Sequence, residues 1–497
     1  MEVSDDGYML MQTIFIPIVF SIIILAVGKR LKEKTGWLTA IPLIYISLLL
    51  CYININIPYW NILIARYRWS EIFGDFILIA DGLSSPIALT IALLGTVISI
   101  YSIYYMKHEE RLELYFALYL LYISGMIGTV LSMNLVAFFI FFEFMLLPSW
   151  VLIGIWGTGR KELIAFKYFM FTEIGALSSL IGIATLYSFT GTLNILEIGK
   201  LSTNIDISIL LPTAIALLLG FFIKMAIVPL HTWLPDAHAE APTPISALLS
   251  PAMIGIGGYA SIRIIYTAIP KLTYLWEFMT GLSILALITM IYGGLMAIAQ
   301  DDIKRLLAYS SISQMGYMLF GISSMSSIGI SGSALLYVSH GLAKAVLFMM
   351  AGILMHEFHT RKISELRGLA RVFPLTTTTA LIGFLSLSGV PPFLGFWSEI
   401  FIFAGSMYTA IHDGLDIVKM IITSLAIILS VFTAGYGLWT IKRLFYGEPS
   451  EKVLKVKGEP LIAVIPLLIL SLFTVILGIY PTPLIVNFMN TLYKLFS

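Results

Sequence analysis

Leu219-Gly220-Phe221-Phe222-Ile223-Lys224-Met225-Ala226-Ile227-Val228-Pro229 decides the fold. The stretch closes an apolar run and sets one ammonium group five residues before a proline. Pro235, Pro242, Pro244 and Pro251 follow, so no simple helix continues. Proline lacks an amide donor and stops a helix. A charge at the centre of a bilayer costs at least ~2.5–3.5 kcal/mol, so a lysine in such a run is a functional candidate by default. Irregular backbone at membrane depth persists only when buried in protein or lining a wet cavity. The stretch therefore predicts a membrane helix that breaks inside a protein.

The rest of the chain agrees. Apolar residues make up 59% of the 497, and Asp, Glu, Lys and Arg only 11%, against about 25% in soluble domains. That excludes a disordered chain and a soluble multidomain enzyme. A net charge of +1 gives no bulk basic character for nucleic acid. The single cysteine, Cys51, excludes disulfide frameworks, iron–sulfur clusters and cysteine-rich zinc sites. No dinucleotide fingerprint, P-loop or haem ligand set occurs, so no cofactor is expected and electron transfer within this chain is not.

A crossing helix needs about 20 apolar residues. Fourteen runs qualify: 9–27, 37–55, 82–106, 112–133, 135–156, 165–189, 207–228, 245–268, 273–299, 306–330, 333–356, 373–411, 418–441 and 460–480. The Ser132-Met133-Asn134 link is the weakest break. The first run is too long, and preceded by too little positive charge, for a cleaved signal peptide. Basic residues set the orientation. With the N-terminus outside, inner segments hold Lys29, Arg30, Lys32, Lys34, Lys107, Arg111, Arg160, Lys161, Lys167, Lys304, Arg305, Arg361, Lys362, Arg367, Arg371, Lys442, Arg443, Lys452, Lys455 and Lys457, which is 20 of 29. Seven fall outside: Arg66, Arg68, Lys200, Arg263, Lys271, Lys419 and Lys494. The expectation is an all-α, multi-pass protein of a cell membrane with both termini outside.

Four groups stand inside apolar runs: Glu143, Lys224, Lys344 and Glu399. They are either structural ion pairs or a proton or ion relay. Burial disfavours the charged form of each, and an opposite charge restores it. At an assumed ~8 Å and an effective dielectric of ~20, a pair couples by about 2 kcal/mol, enough to load or unload a proton. Glu173, about nine residues into its run, is a weaker relay candidate. His340 lies four residues before Lys344, on the same helix face, as a proton carrier or an interhelix contact. His356-Glu357-Phe358-His359 is one residue short of the zinc protease spacing and is not expected to hold metal. His231 and His238 flank Asp236, for proton uptake from the inner side or, alternatively, a metal.

The run 373–411, at about 39 residues, would measure roughly 58 Å as one helix, too long for one span. Gly389-Val390-Pro391-Pro392 predicts a single discontinuous span, with Glu399 two turns beyond the break. Two ionisable groups, Lys224 and Glu399, thus each sit beside a broken helix. Corresponding breaks in two halves point to a transporter site built from repeats.

At this point the residues resemble a known family. Lys224 to Thr243, read as Lys-Met-Ala-Ile-Val-Pro-Leu-His-Thr-Trp-Leu-Pro-Asp-Ala-His-Ala-Glu-Ala-Pro-Thr, is similar to a motif of the antiporter-like subunits of respiratory complex I, Mrp cation/proton antiporters and membrane-bound hydrogenases. Asp81-Gly82-Leu83-Ser84, the Glu143 segment, Asp302 to Tyr317, His340-Gly341-Leu342-Ala343-Lys344, His359-Thr360-Arg361 and Gly389 to Glu399 match as well. The likeness runs from about residue 80 to 445. It implies about fourteen transmembrane helices, with helices 1–3 in 1–111, inverted five-helix repeats at 112–268 and 273–445, broken helices 7 and 12, and a C-terminal loop and helix in 446–497. It implies that Glu143 and Lys224 pair in the first half-channel, that Lys344 with His340 is central to the second, and that Glu399 is its outlet-side group. Glutamate at that last place resembles the M-type subunit of complex I, as does a chain ending soon after the fourteenth run without the long lateral helix of the L-type.

One position departs from the family. A lysine is usual in the eighth helix, a few residues before the match to Tyr259, and Gly255 takes its place here. Ordered water, another residue, or a first half that only transmits a signal are the open alternatives. The function implied is an ion-translocating subunit, for protons or sodium, of a redox-driven complex such as a complex I-like dehydrogenase or membrane-bound hydrogenase. The alternatives are an Mrp-type antiporter subunit without redox partner and a structural subunit that no longer pumps. Partners would be other membrane subunits, including further antiporter-like ones, within the lipid bilayer of a prokaryotic cell.

Overall fold

The computed structural model describes residues 5–412, 414–456 and 458–496. Lys457, counted above among the inner basic residues, lies outside them. Hydrocarbon offers no hydrogen bonds, so the apolar runs close theirs within helices. The helix ends are closed by side chains. Asn134 accepts from the amides of Val136 and Ala137 at 2.9 and 3.2 Å, which makes the link after Leu131 a true break. Asp302 accepts from the amides of Lys304 and Arg305 at 3.0 and 3.2 Å.

Among the described residues, twelve segments are long and apolar enough to cross a membrane. The first, Tyr8–Pro58, contains two helices, Tyr8–Leu31 and Thr35–Trp60, joined by a short turn at Lys32–Lys34. Of the fourteen predicted runs, 306–330 falls outside the twelve, and the run 373–411 is represented only by its second half, Leu394–His412. Ile303–Ile322 carries serines, a glutamine and two basic residues, and Pro374–Leu387 has only 14 residues.

The centre of the molecule is built by two segments. The most apolar stretch of Thr243–Ala268 is wholly buried and that of Ser327–Phe358 is 94% buried, against 28% for Ile417–Phe445 at the periphery. These central helices carry Gly255 and the His340–Lys344 pair. Small residues let them approach their neighbours. A methyl group at Gly332 would lie 2.5 Å from the Ile402 amide nitrogen, which brings Ser327–Phe358 close against Leu394–His412.

The backbone breaks where the prolines predict. Ile207–Met225 ends at Ala226, in the left-handed region at φ 56°, and a short helix, Leu234–Glu240, follows. The run 373–411 is two helices, Pro374–Leu387 and Leu394–His412, turned by Gly389 at φ 63°.

Three features differ from expectation. The run 135–156 is not one helix. Leu135–Phe144 and Leu146–Trp156 meet at Met145, beside Glu143, and Pro148 withholds the amide that Phe144 would bond. Second, Leu63–Ser70 and Gly74–Ala80 form an antiparallel hairpin with Leu63 opposite Ala80 and Tyr67 opposite Phe76. Its tip is tied down by Asn134 Nδ2, which donates to Phe73 O at 2.8 Å. Third, Arg263, Lys304 and Lys419 are not loop charges but are buried. Lys304 Nζ donates to Ala241 O at 2.5 Å and Lys419 Nζ to Ser324 O at 2.7 Å. Long stems carry their charged ends to free carbonyls at interrupted backbone.

Candidate functional site

Glu143 is the penultimate residue of Leu135–Phe144, where the chain kinks, and it is half-buried. Lys224 is the penultimate residue of Ile207–Met225, with 1% of its surface exposed. Its Nζ lies over the Phe142 ring, 4.6 Å from the centroid, an arrangement that attracts a cation. Among the described residues, neither Lys224 Nζ nor Glu143 Oε1 has a hydrogen-bond partner. Each feels the charge of the other, and both feel Glu173 on Lys161–Thr190.

The break after Lys224 is held by Trp233, whose indole N–H donates to Ile223 O at 2.9 Å. His231 packs edge-on against Tyr292, centroids 4.6 Å apart, and its Nδ1 has no partner among the described residues. Asp236 is engaged otherwise. It pairs with Lys167 at 2.8 Å and Arg305 at 3.0 Å, and so pins the short helix Leu234–Glu240 to two neighbours. Arg361 adds a second clamp through Asp302 at 2.6 Å and Ala239 O at 2.9 Å.

The second cluster lies on Ser327–Phe358. Lys344 Nζ donates to Leu307 O at 2.8 Å and to Ser310 Oγ. His340 is buried, its Nε2 has no partner among the described residues, and it feels Lys344 and His238. His238 stacks on Phe348, centroids 4.8 Å apart, and both of its ring nitrogens lack partners among the described residues. It feels Lys344 and also Lys304, which in turn feels Asp302, Glu240 and Arg361. Asp302 and Arg361 also line a cleft of about 710 Å³, with Asp301, Met355, His359, Thr360 and Lys362. Sequence reasoning missed Lys304. Its position in the Asp302 to Tyr317 motif was the available signal.

Glu399 is half-buried on Leu394–His412. Its carboxylate rests where a side chain on Gly389 would stand, so this glycine serves both the turn and the acid. Tyr317 and Tyr436 feel the Glu399 charge. Tyr436 also faces Gln314 and Ser310, which are four residues apart on one face of Ile303–Ile322. Ser310 holds Lys344, so hydroxyl and amide side chains line the space between Lys344 and Glu399.

At Gly255 the space for a side chain is filled from the opposite helix. A Cβ there would lie 2.5 Å from the ring of Tyr337. Tyr337 is buried, and its hydroxyl donates to Ala252 O at 2.8 Å.

Residues 132–433 match the family described as NADH:quinone oxidoreductase/Mrp antiporter, TM. Residues 73–116 match the NADH-Ubiquinone oxidoreductase (complex I), chain 5 N-terminus. NADH-quinone oxidoreductase subunit M of Rickettsia prowazekii (strain Madrid E) is 31% identical over 476 residues, covering 93% of this chain and 94% of that one. A chain of respiratory complex I from Thermus thermophilus with bound NADH superposes with a TM-score of 0.86 at 25% identity, covering 98% of this chain and 100% of that chain. A chain of the Mrp complex from Dietzia sp. DQ12-45-1b has the same fold, with a TM-score of 0.87 at 22% identity, covering 99% and 98%. A match through the helices that carry Glu143, Lys224, Lys344 and Glu399, with a relative alike along nearly the whole chain, places the protein in the NADH:quinone oxidoreductase/Mrp antiporter family of membrane subunits.

Proposed function

We propose that the chain is an ion-translocating subunit, without redox centres, of a redox-driven membrane complex. Electron transfer elsewhere supplies the energy. Charge shifts in the Glu143–Lys224 and Lys344–Glu399 pairs alternate the affinity for a proton, with His340 beside Lys344 as carrier and Glu173 tuning the first pair. The carrying observation is Lys224, an ammonium buried without a hydrogen bond among the described residues, within charge reach of two carboxylates. An ion pair kept for stability would close to bonding distance, because an uncompensated buried charge is strongly destabilising. His231 and His238 take up protons on the side of the Asp236 ion pairs. We assign the two halves to residues 112–268 and 273–445 as inverted repeats in a prokaryotic cell membrane, and the N-terminus to the outside, because with the buried Lys304, Arg263 and Lys419 set aside 19 basic residues still fall on the inner side and 5 on the outer. Further antiporter-like subunits are its neighbours.

The test is ion uptake by membrane vesicles per electron transferred. Lys224→Ala and Glu143→Gln should each remove most of this subunit's share while the complex still assembles. Unchanged coupling in both would falsify the relay. The fold likeness to the Mrp chain favours a second reading, a cation/proton antiporter subunit with no redox partner. Uptake driven by a sodium gradient with no electron donor present would select it. Exchanging the bath cation during the same assay separates protons from sodium.

A further inference from the structure

Lys344 is wholly buried, and among the described residues its Nζ bonds only Leu307 O, at 2.8 Å, and Ser310 Oγ. His340 on its own helix and His238 on Leu234–Glu240 feel its charge, but an imidazole offers it no negative charge in return. Glu399 and Tyr436 face the space beyond Ser310. Neutral acceptors thus hold the ammonium form, and a hydrogen bond to the charged form favours it.

The Leu307 carbonyl is oversubscribed. Besides Lys344 Nζ, it accepts from Ser310 Oγ at 2.9 Å and from Ser311 Oγ at 2.9 Å. As an α-helical carbonyl it also faces the Ser311 amide. An oxygen with two lone pairs cannot serve four donors at full strength. Ser311 has an alternative. Its Oγ lies 2.7 Å from Ser250 Oγ, and either hydroxyl can donate. Its one proton points to Leu307 O or to Ser250, and in the second case Leu307 O is left to the ammonium.

Ser250 belongs to the Thr243–Ala268 segment. There Pro251 contributes no amide, and the chain widens into a π-helical turn at Leu249–Met253, a device that recurs at functional sites. The segment touches both charged clusters. Ala252 O accepts from Tyr337 Oη at 2.8 Å, on the helix of Lys344. A methyl group at Gly257 would stand 2.5 Å from Phe221 O, on the helix of Lys224. A displacement of the segment therefore changes the Ser250–Ser311 contact without touching Lys344 itself.

We propose, on the relay reading above, that Ser311 is a positioning residue for Lys344. Its hydroxyl turns between Leu307 O and Ser250 Oγ, and the turn decides how firmly Lys344 holds its proton. With Lys344 as ammonium, Ser311 donates to Ser250; with Lys344 as amine, it donates to Leu307 O. The Glu143–Lys224 side thereby signals to Lys344 through Thr243–Ala268, and no proton crosses at Gly255. Rotation about the Cβ–Oγ bond is the whole movement at Ser311.

The experiment reads the pH profile of ions taken up per electron, in vesicles holding the intact complex, for Ser311→Ala, Ser250→Ala and the double variant. Ser311→Ala removes the competing donor, so the profile should move to the alkaline side by about half to one pH unit, the worth of one hydrogen bond. Ser250→Ala removes the alternative acceptor and keeps Ser311 on Leu307 O, so the profile should move to the acid side. The double variant should follow Ser311→Ala, because Ser250 acts only through the Ser311 hydrogen. A purely structural hydroxyl would lower assembly without moving the profile. Unshifted profiles, shifts of one sign, or a double variant midway between the singles overturn the switch. Should Ser250→Ala fail to assemble, Ser311→Thr decides. It restores the donor and should return the wild-type profile, and an alkaline shift equal to that of Ser311→Ala overturns the switch. Wild-type coupling in Lys224→Ala counts against the relay reading instead, and the profile still decides on Ser311.

Discussion

Replacing Asp81 by Asn strips the charge from a buried pair and leaves its partner in place. Arg263 Nη2 donates to Asp81 Oδ1 at 2.8 Å and to Oδ2 at 2.6 Å, with the two side chains 5% and 7% exposed. Arg263 Nε donates to Tyr259 Oη at 2.9 Å, and Tyr259 donates to Val130 O at 2.5 Å. The pair thereby ties the base of the hairpin to the central Thr243–Ala268 segment. Removing one partner of a buried pair costs about 3–5 kcal/mol, because the other charge stays uncompensated. Arg263→Met should cost less, about 1–3 kcal/mol. Asp81 would still accept from the amides of Leu83 and Ser84 at 3.0 and 2.7 Å and from Ser84 Oγ at 2.9 Å. The double variant should recover most of the Asp81→Asn loss. Thermal unfolding of the purified complex, with the fraction of subunit assembled, reads all three. Asp81→Asn at wild-type stability, or a double variant worse than Asp81→Asn, would refute the reasoning. Acidity supplies a second arm. Burial by itself would raise the Asp81 carboxyl, but Arg263 and the Ser84 donors outweigh it and hold it below its usual 3.8. A carboxyl lowered on folding stabilises above its unfolded value, and that share is lost as pH falls through the lowered one. Wild-type stability should therefore be flat above about pH 4 with respect to this group and decline below it.

Two further substitutions test the broken helices. Gly389→Ala places a methyl in the space of the Glu399 carboxylate and in a left-handed backbone at φ 63°, which costs roughly 1–2 kcal/mol for the backbone alone. Thermal stability and ion uptake should fall together, and a neutral result in both would show that Glu399 does not rest there. Trp233→Phe keeps the packing against Tyr168, where the rings stand 5.0 Å apart, but deprives Ile223 O of its donor next to Lys224. We expect a loss of about 1 kcal/mol in stability and a change in the pH dependence of uptake, with electron transfer retained. An unaltered pH profile would separate Trp233 from the behaviour of Lys224.

Glu143, Lys224, Lys344 and Glu399 were legible because a charge in an apolar run has no inexpensive place to go, so its presence alone is informative. The broken helices were legible from proline and glycine for an equally local reason. Lys304, Arg263 and Lys419 were not, since they stand near the ends of the runs 306–330, 245–268 and 418–441. There the flexible stem can carry the charged end outward or inward, and only the free carbonyls or the carboxylate that the fold presents decide which. The kink at Met145 had a signal in Pro148, but Leu135 to Trp156 reads as one apolar run of sufficient length. Ser250 and Ser311 were hidden among many other serines. A hydroxyl that bonds back to its own helix is at home in a membrane protein, so spacing and composition give it no contrast. The hairpin at 63–80 is too short to stand out by alternation beside spans three times as long.

Partnering now sorts the charges by place. Around the margins, Asp236 holds Lys167 and Arg305, and Asp302 holds Arg361, at 2.6 to 3.0 Å. Among the described residues, the buried carboxylate, ammonium and imidazole atoms left without a hydrogen bond belong to Glu143, Lys224, His231, His238 and His340. A closed ion pair fixes the protonation of both members, because taking the proton from one also breaks the bond that stabilises the other. A group held near an opposite charge, but not bonded to it, keeps both states within a few kcal/mol of each other, so a modest displacement of a neighbour decides between them. Bonded pairs are suited to holding helices together, and unbonded groups to changing protonation. The margin of the molecule carries the first kind and the space beside the broken Ile207–Met225 helix and the Ser327–Phe358 helix carries the second. A single chain can thus stay rigid where it is anchored and responsive where an ion must pass.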